Sequence, residues 1–227
     1  MVNFKIIGLT VGLLVSTHCA AISVGDITSI IETNQTLLSK EIENTTDVAR
    51  FVGLKIHRIS SPMADGEVIP MESKSEILST PSGLVLPGSA KDIFKILYQG
   101  PSDNQERYYR LSWIDAPVTG AGQDNASKGA QATTSAQINT ILVVAPRQEK
   151  FDYTHVNGTL TNTGNTSFRV VAAGQCLDVS KDKEGNGCRE RYYVMPGKSV
   201  TLKYTDVKAE KTHIGIWHGS KYINVAR

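Results

Sequence analysis

Cysteine, histidine and charge imbalance are all scarce in this chain, and each scarcity removes a class of function. It has 3 Cys and 5 His. His18 lies near the N-terminus, and His57, His155, His213 and His218 show no metal-ligand spacing. There is no Gly-x-Ser-x-Gly nucleophile elbow and no phosphate-cradling glycine loop. An enzyme and a bound cofactor or metal are therefore not expected. The formal net charge is only +2, from 24 Lys and Arg against 22 Asp and Glu, with no long basic cluster. Nothing electrostatic draws the chain to nucleic acid or an anionic membrane. A sustained 3.6-residue apolar period is also missing, which argues against helices.

Long hydrophobic runs are absent except at the start. Lys5 precedes an apolar stretch over 6–15, broken only by Gly and Thr, and Ser16-Thr17-His18-Cys19-Ala20-Ala21 follows. This is the three-part pattern of a secretory signal peptide over 1–21, cleaved after Ala21. The run is shorter than the roughly 20 apolar residues a transmembrane helix needs, and no later run spans a bilayer. Lipidation at Cys19 is the alternative, disfavoured by Ser16 and Thr17. Removal of the leader leaves Cys176 and Cys188, and an even pair in an exported chain points to one disulfide clasping a polar, turn-rich hairpin.

What is present is short strands between turn signals. Hydrophobic residues make up 40% of the 227 residues, enough for two domains of about 100 residues each. Residues 22–31, 36–42, 51–59, 92–98, 107–114 and 137–145 are β-rich, with Thr80-Pro81 and Leu86-Pro87-Gly88 as punctuation. A boundary falls at 146–150, which divides the chain into 22–147 and 148–227. Beyond it a second series covers 151–156, 158–162, 167–174, 192–194, 199–204, 213–217 and 221–225. The expected fold class is all-β, two sandwiches of the immunoglobulin-like kind.

Residues 117–135 form the oddest segment, a glycine-bearing polar loop that passes into an alternation from Gly129 onward. Ala130, Ala132, Thr134, Ala136, Ile138, Thr140, Leu142 and Val144 share one face, until Ile141 and Val143 make both faces apolar. Two readings fit. One is a long loop running into an ordinary edge strand. The other is a strand buried at one end that offers a free edge at the other.

Several segments in order resemble the PapD-like periplasmic pilus chaperones, most closely the alternate-type chaperones of the common-pilus system of enteric bacteria. They are Val24-Gly25-Asp26-Ile27, Ser60-Ser61-Pro62, Thr80-Pro81 with Leu86-Pro87, Glu106-Arg107-Tyr108-Tyr109-Arg110 and Thr140-Ile141-Leu142-Val143-Val144-Ala145-Pro146-Arg147-Gln148. Gly158-Thr159-Leu160-Thr161-Asn162, the cysteine pair and Tyr192-Tyr193-Val194-Met195-Pro196-Gly197 complete the set. The resemblance implies two immunoglobulin-like β-sandwiches set at an angle and a periplasmic chaperone, with pilus subunits and an outer-membrane usher as partners. It implies donor-strand complementation, in which residues 129–144 fill the open groove of a pilin. Ala132, Thr134, Ala136 and Ile138 would be the groove-filling side chains.

The same family anchors the pilin C-terminal carboxylate on two basic residues. Their positions fall near Thr28 and Ile141, and neither is basic. Arg110 and Arg147 are the substitutes, since a guanidinium binds carboxylate in a bidentate fork. The plainer readings are a structural salt bridge for Arg110 and a solvated linker charge for Arg147. A structural pilus subunit or adhesin is the alternative function, distinguished by an incomplete sandwich.

Overall fold

The computed structural model describes residues 22–118, 135–182 and 185–225. The expected leader, 1–21, lies outside the described residues. In the first half the strands are β1 (Ile22–Ser23), β2 (Thr28–Ile31), β3 (Leu37–Asn44), β4 (Arg50–Ile59), β5 (Ile77–Thr80), β6 (Gly83–Leu86), β7 (Lys91–Tyr98), β8 (Arg107–Pro117) and β9 (Ala136–Val144). They form a four-stranded sheet, β1-β3-β7-β5, and a five-stranded sheet, β2-β9-β8-β4-β6. The two sheets close on one apolar core, because alternate residues of each strand turn inward. Val52 and Leu54 of β4, Phe94 and Ile96 of β7, and Tyr109, Leu111 and Trp113 of β8 are all buried there. Phe94 meets Trp113 edge to face, with ring centroids 5.2 Å apart.

The expected stretch 22–31 is not one strand. It leaves one sheet after Ser23 and enters the other at Thr28. Gly25 makes the change of sheet possible, with φ at +63°, a backbone that L side chains rarely adopt. Strands β5 and β6 stand where the sequence shows only turn punctuation. They are four-residue strands at the sheet edges, flanking a cis Thr80–Pro81 bond.

The second half contains β10 (Tyr153–Val156), β11 (Thr159–Asn162), β12 (Phe168–Gly174), β13 (Cys188–Val194), β14 (Ser199–Thr201), β15 (His213–His218) and β16 (Lys221–Asn224). A three-stranded sheet, β10-β11-β14, faces a four-stranded one, β13-β12-β15-β16. Between them lie Leu160, Phe168, Val170, Val194, Ile214 and Ile216. The protein is therefore all-β, with two immunoglobulin-like sandwiches, and no strand of one half pairs with a strand of the other among the described residues.

Strand β13 begins at Cys188, earlier than the expected 192. Its first residues pair with β12, Gly174 opposite Cys188. Cys176, just past the end of β12, is disulfide-bonded to Cys188 across a separation of 12 residues. Closing a loop of that length is worth about 3 kcal/mol. Reduction, or a Cys176→Ser/Cys188→Ser double variant, is expected to lower the unfolding free energy of the second sandwich, read from urea titration, by that amount without changing its strand content by circular dichroism.

Candidate functional site: a half-covered strand and the junction cleft

β9 is paired along its full length on one side only. It runs antiparallel to β8, from Asp115 opposite Ala136 to Arg107 opposite Val144. On the other side β2 runs parallel to it, and covers only Ile141–Val144. Among the described residues no strand covers the first part of β9 on that side. The Ile141 N–H donates to the Ile27 carbonyl at 2.8 Å and the Ala145 N–H to the Ile31 carbonyl at 2.9 Å. Backbone direction alternates along a strand, so the N–H and C=O groups of Gln137 and Asn139 face the same side, where no protein strand answers them.

The side chains of β9 divide by parity. Leu142 and Val144 belong to the first core, and Ile138 packs against it half-buried. Thr140 accepts a 3.0 Å bond from the Trp113 indole, which satisfies both buried polar groups. Ala136, of the same parity, is half-buried. On the opposite face Gln137 and Asn139 are exposed and bonded to each other at 3.0 Å. Val143 is buried with Ile59 and Tyr108, and Ile141 and Met195 pack against that cluster. Met195 comes from the second half, so one end of β9 is held in the junction while the other carries the free edge. Ala132 and Thr134 lie outside the described residues, as does the rest of 129–134.

The anchor candidates separate. Thr28 and Ile141 are register partners, and the same row continues through Arg110 to His57. Arg110 thus stands one strand beyond the expected position. Its guanidinium donates to the Gly66 carbonyl at 3.1 Å. Arg147 is occupied elsewhere. It donates to the carbonyls of Glu32, Thr33 and Gln35 at 3.3, 3.0 and 2.7 Å and lies 5.4 Å from the Tyr98 ring centroid. It clamps the loop between β2 and β3, and the fold does not bring it together with Arg110 in that row. Among the described residues Arg110 makes no salt bridge, and Arg147 is bonded to backbone carbonyls rather than left to solvent.

A cleft of about 650 Å³ opens between the halves beside β2 and β9. Thr28, Ile30 and Val143 line one side, and Arg169, Tyr193 and Trp217 the other. Arg169 is exposed on β12. In the sequence its only signal is an outward position in the alternation of Phe168–Gly174. Burial, then the charge of Glu106, pushes the Tyr193 phenol up, so it stays neutral at any physiological pH.

Glu106 ties the halves together. Its carboxylate is buried and accepts from the Tyr108 hydroxyl at 2.6 Å, the Ser167 N–H at 2.7 Å and the Thr166 hydroxyl at 3.3 Å, with the Ser167 hydroxyl as a further donor. Burial and the neighbouring carboxylate push the Tyr108 phenol up as well. Among the described residues no cluster of His, Cys, Asp and Glu is placed to hold a metal ion, and no helix is long and apolar enough to cross a membrane.

Known proteins resemble this chain in sequence and in fold. The family model of the EcpB C-terminal domain matches residues 151–225. A curated relative from Escherichia coli O18:K1:H7, named "Probable fimbrial chaperone EcpB", is 45% identical over 205 residues, 90% of this chain and 91% of that protein. Among solved structures, the class 5 fimbriae chaperone CfaA superposes with a TM-score of 0.57 at 12% identity, over 90% of this chain and 97% of that one. The Salmonella enterica SafA pilin complex with the SafB chaperone gives a TM-score of 0.53 at 14% identity, over 88% of this chain and 91% of the matched one. At such identities the structural likeness speaks for the fold.

Proposed function

The chain belongs to the EcpB family of fimbrial chaperones, and from that premise we propose that it shields fimbrial subunits by lending them the free edge of β9. The observation that carries this reading is the uncovered run Ala136–Thr140, paired with β8 on one side and, among the described residues, with no strand on the other. An extended segment with outward N–H and C=O groups completes an incomplete sheet at little cost, because both partners exchange water for backbone bonds. The other end of β9 is fixed by Thr140, Leu142 and Val143, so Ala136–Asn139 are held extended before binding. Ala132, Thr134, Ala136 and Ile138 are the side chains we assign to the subunit's groove. All are small or already half-packed, so the groove they enter is shallow or filled by larger residues of the subunit itself.

The chain works in the periplasm in this reading, with 1–21 removed on export, and passes its subunits to an outer-membrane usher. The sandwiches divide as 22–147 and 148–227. The last strand of the first half ends at Val144 and the matched C-terminal model begins at 151, which supports that division. For the subunit's terminal carboxylate, Arg169 is the favoured anchor. It faces the cleft opposite Thr28, exposed and, among the described residues, without an ion-pair partner, whereas Arg110 already holds a carbonyl. Arg147 serves the fold instead.

Proline scanning of β9 tests the edge. Proline removes a backbone N–H and is tolerated where that group faces outward. Asn139→Pro is expected to leave the chaperone folded and to cut recovery of a co-expressed fimbrial subunit at least about tenfold. Ile138→Pro breaks the bond toward β8 and is expected to impair folding itself. Full recovery of soluble subunit with Asn139→Pro would sink the donor-edge reading. In the same assay, Arg169→Ala is expected to weaken the complex more than Arg110→Ala or Arg147→Ala.

A further inference from the structure

The outer face of the β13-β12-β15-β16 sheet carries arginine and aromatic side chains and no carboxylate. Register defines its rows. Tyr193, Arg169, Trp217 and Tyr222 form the row beside the junction cleft. Arg191, Val171, Gly215 and Asn224 form the next, and Arg189, Ala173 and His213 the one beyond. The only acidic residue of these strands, Glu190, has the opposite parity and is buried. In a chain whose net charge is +2, this is a local concentration of positive charge.

The face also has shape. Tyr222 lies over Gly215, and a Cβ there would collide with its ring. Between Tyr222 and His213 on one side and Arg189 and Arg191 on the other, a groove of about 240 Å³ is floored by Val171 and Ala173. Arg189, Arg191, His213 and Tyr222 are all exposed. No ion pair within the described residues involves Arg189 or Arg191.

We propose that this groove docks an acidic, extended segment of a second protein partner, distinct from the subunit held at β9. Carboxylates of the segment would take the guanidinium groups of Arg189 and Arg191, and an apolar side chain would sit on Val171 and Ala173 against Tyr222. Arginine, tyrosine and tryptophan are the residues that concentrate binding energy at protein interfaces, and a face of one sign selects a partner of the other. The outer rows stand up to four residues beyond Trp217, about 13 Å along the strands from the cleft. A subunit in the cleft therefore leaves them accessible, and the loaded chaperone presents them.

Trp217 supplies the readout, since the other tryptophan, Trp113, is fully buried. The probe is a short synthetic peptide alternating Glu and Leu, titrated into the full-length mature protein while Trp217 fluorescence and its acrylamide quenching are followed. Saturable protection is expected, weakening with salt, and at least about tenfold weaker in an Arg189→Glu/Arg191→Glu variant. Equal binding by wild type and variant overturns the proposal. So does equal binding of a Lys-Leu peptide, or competition by oligothymidylate as strong as by the peptide, which marks a general polyanion surface. Loss of fimbrial-subunit recovery in the double variant would assign the face to the client and overturn a separate partner, whereas Asn139→Pro should leave peptide binding intact.

Discussion

Replacing Glu190 with Ala is expected to cost the second sandwich about 4 kcal/mol, a large share of the roughly 5–15 kcal/mol that keeps a domain folded. Glu190 is buried at the core side of β13. Its carboxylate accepts the backbone N–H groups of Lys203, Tyr204 and Thr205 at 2.7, 2.8 and 2.7 Å, and the Tyr192 hydroxyl as well. Those amides have no strand partner in the segment after β14, so one side chain serves as the acceptor for a whole turn of chain. Truncation orphans each donor, at about 1–3 kcal/mol apiece before water enters. Glu190→Gln keeps the shape but turns an NH2 group toward amide donors, and about half the loss is expected. Guanidinium unfolding of the two variants against wild type measures both.

The same residue predicts a pH dependence. Burial raises the Glu190 carboxyl, but the Tyr192 hydroxyl and the amides of Lys203 and Tyr204 outweigh it, and the group lies below the ordinary glutamate value. A carboxyl lowered in the folded state stabilises above its unfolded pKa of about 4.3 and loses that contribution as pH falls through the folded value. Wild-type stability is therefore expected to fall on acidification below about pH 4.5. The Glu190→Gln variant, already lacking the contribution at neutrality, should show a shallower decline. An identical slope in both would remove Glu190 from the account.

Period-two alternation made the central strands legible. In 51–59, 107–114 and 137–145 most inward residues are apolar and the core answers them, with Arg107 and Thr140 as buried polar exceptions. Elements whose signal lay elsewhere were not legible. Strand β13 opens Cys-Arg-Glu-Arg, which reads as polar loop, because its outward residues are the arginines of an exposed face and its inward Glu190 is satisfied by amides far along the chain. β5 and β6 are too short to show a period, and Pro81 between them reads as a turn. The uncovered stretch of β9 was half legible. Alternation showed a strand buried at one end, but where its cover stops depends on β2, and β2 is short because the chain spends Gly25 and its neighbours changing sheets. Arg169 could not be found from sequence at all, since its place opposite Thr28 exists only once the halves meet.

How firmly the halves meet rests heavily on Glu106, and Glu106→Ala is expected to cost about 3 kcal/mol and to loosen the junction. The apolar contact there is small, with Ile59, Tyr108 and Val143 buried and Ile141 and Met195 beside them. A carboxylate that receives the Ser167 amide and hydroxyl and the Thr166 hydroxyl crosses that contact with charge-assisted bonds, which are about twice as strong as neutral ones. Its Tyr108 bond fixes the side chain from the first half. Hydrogen exchange at the Ser167 amide is expected to accelerate sharply in Glu106→Ala, while amides deep in both cores keep their protection. A double-mutant cycle of Glu106→Ala with Ser167→Ala should return a coupling of about 1–2 kcal/mol. Coupling indistinguishable from zero would remove the Ser167 hydroxyl from the account, leaving the Ser167 amide and other cross-junction bonds such as the Asn165 side-chain amide to the Asn104 carbonyl at 3.0 Å. Because Thr28, Val143 and Arg169 line a cleft whose walls come from both halves, a loosened junction should also reduce recovery of a co-expressed subunit even though β9 itself is untouched. Asn139→Pro predicts the opposite combination, an unchanged Ser167 amide with the subunit lost, so the two variants separate the lent edge from the angle at which it is presented.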